Sequence, residues 1–175
     1  TTNDDDIAKK LLALRVHGSE ERYYHKYVGL NSRLDGFQGA VLRVKLPHLD
    51  AWTEKRQINA ARYRQMFTDR GLSEHVSLPV ERKNVRHIYN QFVIAVPGVR
   101  DELRAHLTEK GIGTDIYYPV PLHLQECFAY LGYKAGDLPV SEKAAAVTLA
   151  LPIFPELKTE QQAAVVDAIA EFFEQ

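Results

Sequence analysis

The stretch from Gly29 to Ala40 changes from a polar cluster to apolar residues at helical spacing, and it constrains the fold more than any other part of the chain. Gly29 can adopt backbone conformations that are closed to other residues. Asn31 and Ser32 are residue types that favour the N-cap position of a helix. The apolar residues that follow have the period of one helix face: Leu34, Phe37 and Val41. We therefore expect a buried helix that begins near Arg33.

Two polar side chains, Asn31 and Arg33, would then lie at the N-terminal end of this helix. A helix N-terminus offers free N–H groups and partial positive charge, and a neighbouring arginine adds a fork of N–H donors, so the pair would suit a phosphate group. A plainer interpretation is that Asn31 only caps the helix and Arg33 only pairs with Asp35. The local sequence alone favours the plainer interpretation.

Composition excludes several kinds of partner. Of the 175 residues, 22 are Lys or Arg and 23 are Asp or Glu, with no basic block, so a nucleic-acid partner is not expected. The apolar runs are too short to span a membrane, and the N-terminus carries no recognisable targeting segment. The single cysteine, Cys127, excludes an internal disulfide and is typical of a reducing compartment. We expect a soluble, cytoplasmic protein without a membrane partner.

The rest of the chain predicts a small α+β domain with a few strands flanked by helices. A central strand is expected within His87–Val96, and shorter strands are expected near Gly111–Asp115 and within Leu149–Ile153. Apolar periodicity and breaker residues predict helices over 7–15 and 100–110, from Pro139 onward and from Thr159 onward. Between Arg33 and Gly71 they predict either two helices, interrupted at Pro47, or one long helix that is kinked there. Thr159 and Gln162 have the spacing of a capping box for the last helix.

One loop combines rigidity with polar side chains. Two prolines stiffen the stretch from Tyr117 to His123, which presents the phenols of Tyr117 and Tyr118 and one imidazole. Such a loop can pre-organise contacts to a ligand, although its tyrosines could instead only pack. The seven histidines of the chain show no ligand spacing, so we expect no metal site.

Several motifs resemble those of one family, in family order. The run GLNSRLDGFQGAVLRVKL, which starts at Gly29, resembles the segment that opens the C-terminal domain of the DegT/DnrJ/EryC1/StrS sugar aminotransferases, which are pyridoxal-phosphate (PLP) enzymes. The resemblance covers nearly the whole chain and continues through His87–Tyr89, Gly111–Thr114, Tyr117–His123, Leu131–Tyr133, Leu138–Glu142 and Leu149–Ile153.

The resemblance implies a particular place in a larger enzyme. It implies an α+β small C-terminal domain of a fold-type-I aminotransferase, with a short, mostly antiparallel sheet flanked by helices. Residues 1–28 would be the end of the large cofactor domain and a connector, and residues 29–175 would be the small domain. The lysine that forms the Schiff base with PLP is expected upstream, so none of these residues is expected to be catalytic.

The resemblance also implies roles for individual residues. Asn31 would contact the cofactor phosphate across a homodimer interface, and Arg33 would lie near that phosphate or the nucleotide sugar. Tyr117, Tyr118 and His123 would line the substrate pocket. Tyr117 stands where histidine is common in the family, which puts the chemical role of that position in question.

The implied activity is transfer of an amino group from an amino acid, glutamate in most members, to a keto group of a nucleotide-linked sugar. Two alternatives stay open. The protein could be a pyridoxamine-phosphate-dependent sugar dehydratase, in which histidine replaces the lysine. It could also be a non-catalytic module for dimerisation or sugar-nucleotide binding.

Overall fold

The computed structural model describes residues 1–174 and contains two compact units. The first unit comprises Thr1–His48, and the second begins at Leu49. This division follows the packing within the chain itself. The expected boundary between residues 28 and 29 concerns the domains of a larger enzyme, and it stays a prediction.

The first unit begins with helix α1, Asp5–Leu14, as the periodicity predicted. The carboxylate of Asp4 caps it by accepting a hydrogen bond of 2.9 Å from the backbone N–H of Ile7. The antiparallel strands β1 and β2 follow, and helix α2 and a 3-10 turn complete the unit. Their bounds are Ser19–Glu21 for β1, Tyr24–His25 for β2, Gly36–Lys45 for α2 and Leu46–His48 for the turn.

Helix α2 begins three residues later than predicted, and none of its residues is buried. Its N-cap is Asp35, whose N–H donates to Oε1 of Gln38 over 3.3 Å. Asn31 and Ser32 are therefore not caps. The backbone at these positions is held in extended form: Asn31 forms a β-bridge with Val16, and the Ser32 N–H donates to the Arg15 carbonyl over 2.9 Å.

Gly29 is required for a different reason from the one expected. Its φ lies outside the left-handed range, but a Cβ built on it would lie 2.2 Å from the backbone nitrogen of Gly18. A Cβ on Gly18 would in turn lie 1.8 Å from the carbonyl oxygen of Tyr27. Two backbone segments thus pass too closely for any side chain, and glycine is needed at both positions.

The second unit is built around strands β3, Phe92–Ala95, and β4, Thr148–Leu151. They pair antiparallel, with Phe92 opposite Leu151, which confirms the predicted α+β class. The expected strand near Gly111–Asp115 is reduced to one bridge between Asp115 and Ala150. The described part of this unit also contains four α-helices: α3 (Leu49–Asp69), α4 (Arg100–Glu109), α5 (Pro139–Val147) and α6 (Thr159–Phe173). Three short 3-10 helices lie in its connections, at Leu72–Glu74, Leu122–Leu124 and Glu126–Leu131.

The core of this unit lies between the two strands and helices α3, α4 and α6. Alternate residues of β3 point inward, whereas each helix contributes one apolar stripe. The fully buried side chains include Tyr63, Phe92, Ile94, Leu103, Leu107, Leu149 and Ile169. Burial of these apolar side chains stabilises the sheet, from which the loops of the candidate site extend.

Gln162 lies in this core and is not part of a capping box. Its side chain is fully buried, its Nε2 donates to the Asn59 carbonyl over 2.8 Å, and its Oε1 accepts from Arg62 Nη1 over 2.8 Å. The residue that reaches back to the start of α6 is Gln161, whose Oε1 accepts from the Lys158 N–H over 3.0 Å. The predicted box was therefore displaced by one residue.

Candidate functional site

The loop from Tyr117 to Leu122 forms one wall of an apolar cavity of about 630 Å³, which we call the tyrosine–proline cavity. The rings of Tyr117 and Tyr118 meet edge to face with centroids 5.9 Å apart. The cavity is lined by Tyr117–Leu122, Gln125, Ser141, Ala144 and Ala145. Its size falls within the usual range for small-molecule sites, and both predicted tyrosines line it.

His123 is not among the residues that line this cavity. Its imidazole is buried, and Nε2 lies 2.9 Å from Oε1 of Glu142 in helix α5. Its ring also meets the ring of Tyr133 edge to face, with centroids 6.2 Å apart. This geometry suits a residue that positions the Tyr117–Leu122 loop by joining its end to helix α5. Contact between His123 and substrate stays a prediction.

Glu142 is a neighbour of the site that was not among the expected site residues. Its carboxylate accepts hydrogen bonds from the backbone N–H groups of Gly136, at 2.9 and 3.0 Å, and of Leu138, at 3.2 Å, as well as facing His123. The Gly136 N–H, His123 and the Leu138 N–H hold the pKa of Glu142 below its usual value. The available signal was its place in the first turn of a helix that starts at Pro139, where a carboxylate is favoured.

Asn31 and Arg33 lie in the first unit, in the extended segment ahead of α2. Both side chains are exposed, and neither has a hydrogen bond or ion pair with any residue between 1 and 174. The expected pairing of Arg33 with Asp35 is therefore not formed. An amide and a guanidinium two residues apart offer several N–H donors to an anion, which is the donor set that a phosphate needs.

His87 and Tyr89 are occupied within the fold. The Tyr89 ring is buried, and its hydroxyl donates to Glu81 and accepts from Arg64 Nη2 at 3.0 Å. Burial and the hydrogen bond to Glu81 raise the pKa of the Tyr89 phenol. His87 Nδ1 accepts a hydrogen bond of 3.0 Å from the Tyr89 N–H.

The described part of the chain offers neither a metal site nor a membrane-spanning helix. In residues 1–174, no three His, Cys, Asp or Glu side chains are grouped so that they could hold a metal ion. No helix within the same residues is both long enough and apolar enough to cross a membrane.

Comparison with known proteins defines the class. The crystal structure of S. venezuelae DesV in complex with a ketimine intermediate matches with a TM-score of 0.87 and 40% identity, over 100% of this chain and 46% of DesV. The fold is thus that of the C-terminal part of a fold-type-I aminotransferase. The model of the DegT/DnrJ/EryC1/StrS aminotransferase family matches residues 1–170, and the chain belongs to this family.

Two curated relatives match nearly the whole chain. The "Pleiotropic regulatory protein" of Geobacillus stearothermophilus is 53% identical over 172 residues, which are 98% of this chain and 46% of that protein. The dTDP-3-amino-3,4,6-trideoxy-alpha-D-glucose transaminase of Streptomyces venezuelae is 40% identical over 99% of this chain and 45% of its own length. The chain therefore spans about half the length of the curated relatives that it matches.

Proposed function

We propose that this chain is the C-terminal part of a PLP-dependent aminotransferase. The enzyme transfers an amino group from an amino acid, with glutamate as the expected donor, to a keto group of a nucleotide-linked sugar. The observation that carries the proposal is the family match over residues 1–170, which includes both the Asn31–Arg33 segment and the Tyr117–His123 loop. The similarity to a dTDP-aminosugar transaminase supports the substrate class.

The side chains of this chain suit the cofactor's phosphate. Asn31 and Arg33 are exposed and unpartnered within the described residues, so they can donate to an anion without first breaking another contact. PLP, when bound, supplies the electron sink that amino-group transfer requires. We propose that Asn31 and Arg33 hold the cofactor phosphate in the active site of the partner subunit of a homodimer.

Tyr117 and Tyr118 are the proposed substrate contacts. They combine flat apolar rings with hydroxyl groups at the edge of the tyrosine–proline cavity, a combination that suits both a sugar ring and a nucleobase. His123 and Glu142, which do not line this cavity, join the end of the loop to helix α5.

The test uses the full-length protein loaded with PLP. It is supplied with glutamate and a set of dTDP- and UDP-linked keto sugars. The 2-oxoglutarate that forms is quantified, and the mass of the sugar product is determined by mass spectrometry. The proposal expects 2-oxoglutarate in equal amount to an aminated sugar. A sugar product that has lost water without consuming glutamate would identify a dehydratase, and sugar binding without either product would identify a binding module.

Sharing of the site between subunits is tested separately. Asn31→Ala and Tyr118→Phe variants, each impaired alone, are mixed, dissociated and reassociated. If each site takes Asn31 from one subunit and Tyr118 from the other, mixed dimers recover activity, because one of their two sites contains neither substitution. If the protein is monomeric by light scattering, or mixing restores nothing, the shared-site proposal fails.

A further inference from the structure

A second, smaller cavity is also bordered by Tyr117. Its volume is about 310 Å³, and we call it the amide cavity. Its walls come from the residues before β3, from the segment around Asp115 and from the end of β4. The wall is rigid because Asp115 and Ala150 exchange two backbone hydrogen bonds, of 3.2 and 2.7 Å, beside the β3–β4 ladder.

The chemistry of the amide cavity differs from that of the tyrosine–proline cavity. Five of its side chains carry hydrogen-bonding groups: Asn90, Gln91, Thr114, Asp115 and Tyr117. No Lys, Arg or His is among the residues that line it. An anionic ligand would meet a carboxylate without any neutralising cation, so phosphate and carboxylate groups are disfavoured. A neutral ligand that both donates and accepts hydrogen bonds matches these walls.

Asp115 and Tyr117 are neighbours in the wall of the amide cavity. One position separates them along the chain, which in an extended segment places both side chains on the same side of the backbone. Asp115 Oδ1 accepts from the Ile116 N–H at 2.8 Å. The Asp115 carboxylate raises the pKa of the Tyr117 phenol, so the phenol stays protonated and its oxygen can also accept a hydrogen bond from a ligand.

The two amide side chains of the amide cavity are available for bonding. Neither Asn90 nor Gln91 has a side-chain hydrogen-bond partner among residues 1–174, and Asn90 is exposed. The Thr114 hydroxyl also lacks a partner within the described chain, but its oxygen is enclosed and a ligand in the cavity would not reach it. The donors that this cavity offers are therefore the two amides.

We propose that the amide cavity is a subsite for a neutral, hydroxyl-bearing ring, such as the pyranose of a sugar substrate, with the Asn90 and Gln91 amides as donors and Tyr117 as acceptor. Its assignment to the substrate rests on the proposed function. The two cavities then divide the ligand: the amide cavity takes the polar ring, and the tyrosine–proline cavity takes less polar parts.

The experiment is saturation-transfer NMR on the full-length protein with methyl α-D-glucopyranoside as the probe. We expect saturable binding that Asn90→Ala weakens about tenfold, the effect of losing one hydrogen bond. Asn90→Asp, which keeps the shape of the side chain but removes its donor, is expected to act in the same way. Asn3→Ala removes an exposed amide that lines neither cavity and serves as the matched control.

The subsite is overturned if the unmodified protein gives no glycoside signal. It is also overturned if Asn90→Ala and Asn90→Asp leave the signal unchanged. Displacement of the glycoside by inorganic phosphate or glutamate would also contradict it. The amino-transfer assay is read independently. Glycoside binding without transfer would reject the proposed function and keep the subsite, whereas transfer without glycoside binding would do the reverse.

Discussion

His123 Nε2 lies 2.9 Å from Glu142 Oε1, and this contact joins the base of the tyrosine–proline loop to the first turn of α5. The same carboxylate accepts backbone hydrogen bonds from Gly136 and Leu138. One side chain therefore collects contacts from two separate stretches of chain, at His123 and just ahead of α5. The loop that carries Tyr117 and Tyr118 is held at its base by these polar contacts.

The first prediction concerns this support. His123→Ala leaves the Glu142 carboxylate with one hydrogen bond fewer and opens space below the loop, so we expect the unfolding free energy to fall by about 1–3 kcal/mol. We also expect the KM for the keto sugar to rise while the half-reaction with glutamate is preserved. Urea unfolding and separate half-reaction rates measure the two effects.

A conservative variant distinguishes positioning from folding. His123→Gln keeps an N–H donor on a flexible side chain and should recover part of the sugar KM. Equal losses in both half-reactions, with no recovery by glutamine, would show that the substitution only damages the fold.

The second prediction concerns acid stability. Because Gly136, His123 and Leu138 lower the pKa of Glu142 in the folded state, its contribution to stability is complete above its unfolded pKa, near 4.5, and is lost as the pH falls through the lower folded value. Glu171 behaves likewise, because Lys110 lowers its pKa. We expect Glu142→Gln to flatten the decline of the urea midpoint below about pH 4.5. An equally steep decline in the variant would contradict this assignment.

Local pattern was sufficient to predict most helices but not the start of α2. The stretch before Phe37 contains three good capping residues, Asn31, Ser32 and Asp35. The choice among them is made by residues far away in the chain. Backbone bonds from the Leu14–His17 segment hold Leu30 to Ser32 in extended form, so only Asp35 remains free to cap.

In the candidate site, too, local features were predictable from the sequence, whereas contacts between distant residues were not. The proline-stiffened loop was recognisable from its own residues, and both of its tyrosines line a cavity. The partnership of His123 with Glu142 joins positions 19 residues apart, and no local period reports such a pair. The displaced capping box has a similar cause, because the burial of Gln162 depends on Asn59 and Arg62 in another helix.

The third prediction concerns the close approach of backbone at Gly29. Gly29→Ala would place a methyl group 2.2 Å from the Gly18 nitrogen, so the segments must separate, and we expect a loss of about 1–3 kcal/mol as in other overpacked sites. Gly39→Ala is the matched control. It lies within α2 with open space around it, and alanine should stabilise that helix by about 0.5–1 kcal/mol. Thermal unfolding of both variants measures the contrast, and equal effects would refute the steric explanation.

The fourth prediction concerns the buried polar bridge between α3 and α6. Gln162→Leu fills the volume but leaves the Asn59 carbonyl and the Arg62 guanidinium without this partner, so we expect a loss of about 1–3 kcal/mol in urea unfolding. Gln65→Leu is the control, because within residues 1–174 the exposed Gln65 side chain bonds only to Asp69, and its change should stay within about 0.5 kcal/mol. A Gln162→Leu variant as stable as the control would show that the bridge contributes little.

The fifth prediction concerns the cofactor phosphate. Because the Asn31 side chain is exposed and has no hydrogen-bond partner within residues 1–174, replacing it should leave the backbone bridge to Val16 and the folding of the chain unchanged. If its amide donates to the phosphate of PLP, Asn31→Ala in the full-length protein should weaken cofactor binding by about 1–3 kcal/mol. The dissociation constant of PLP, measured by absorbance titration, is the readout, and Asn3→Ala is the control for a lost exposed amide. Arg33→Lys keeps the charge but removes the planar fork, so a loss there would indicate bidentate contact. An unchanged dissociation constant in Asn31→Ala would remove Asn31 from the cofactor site.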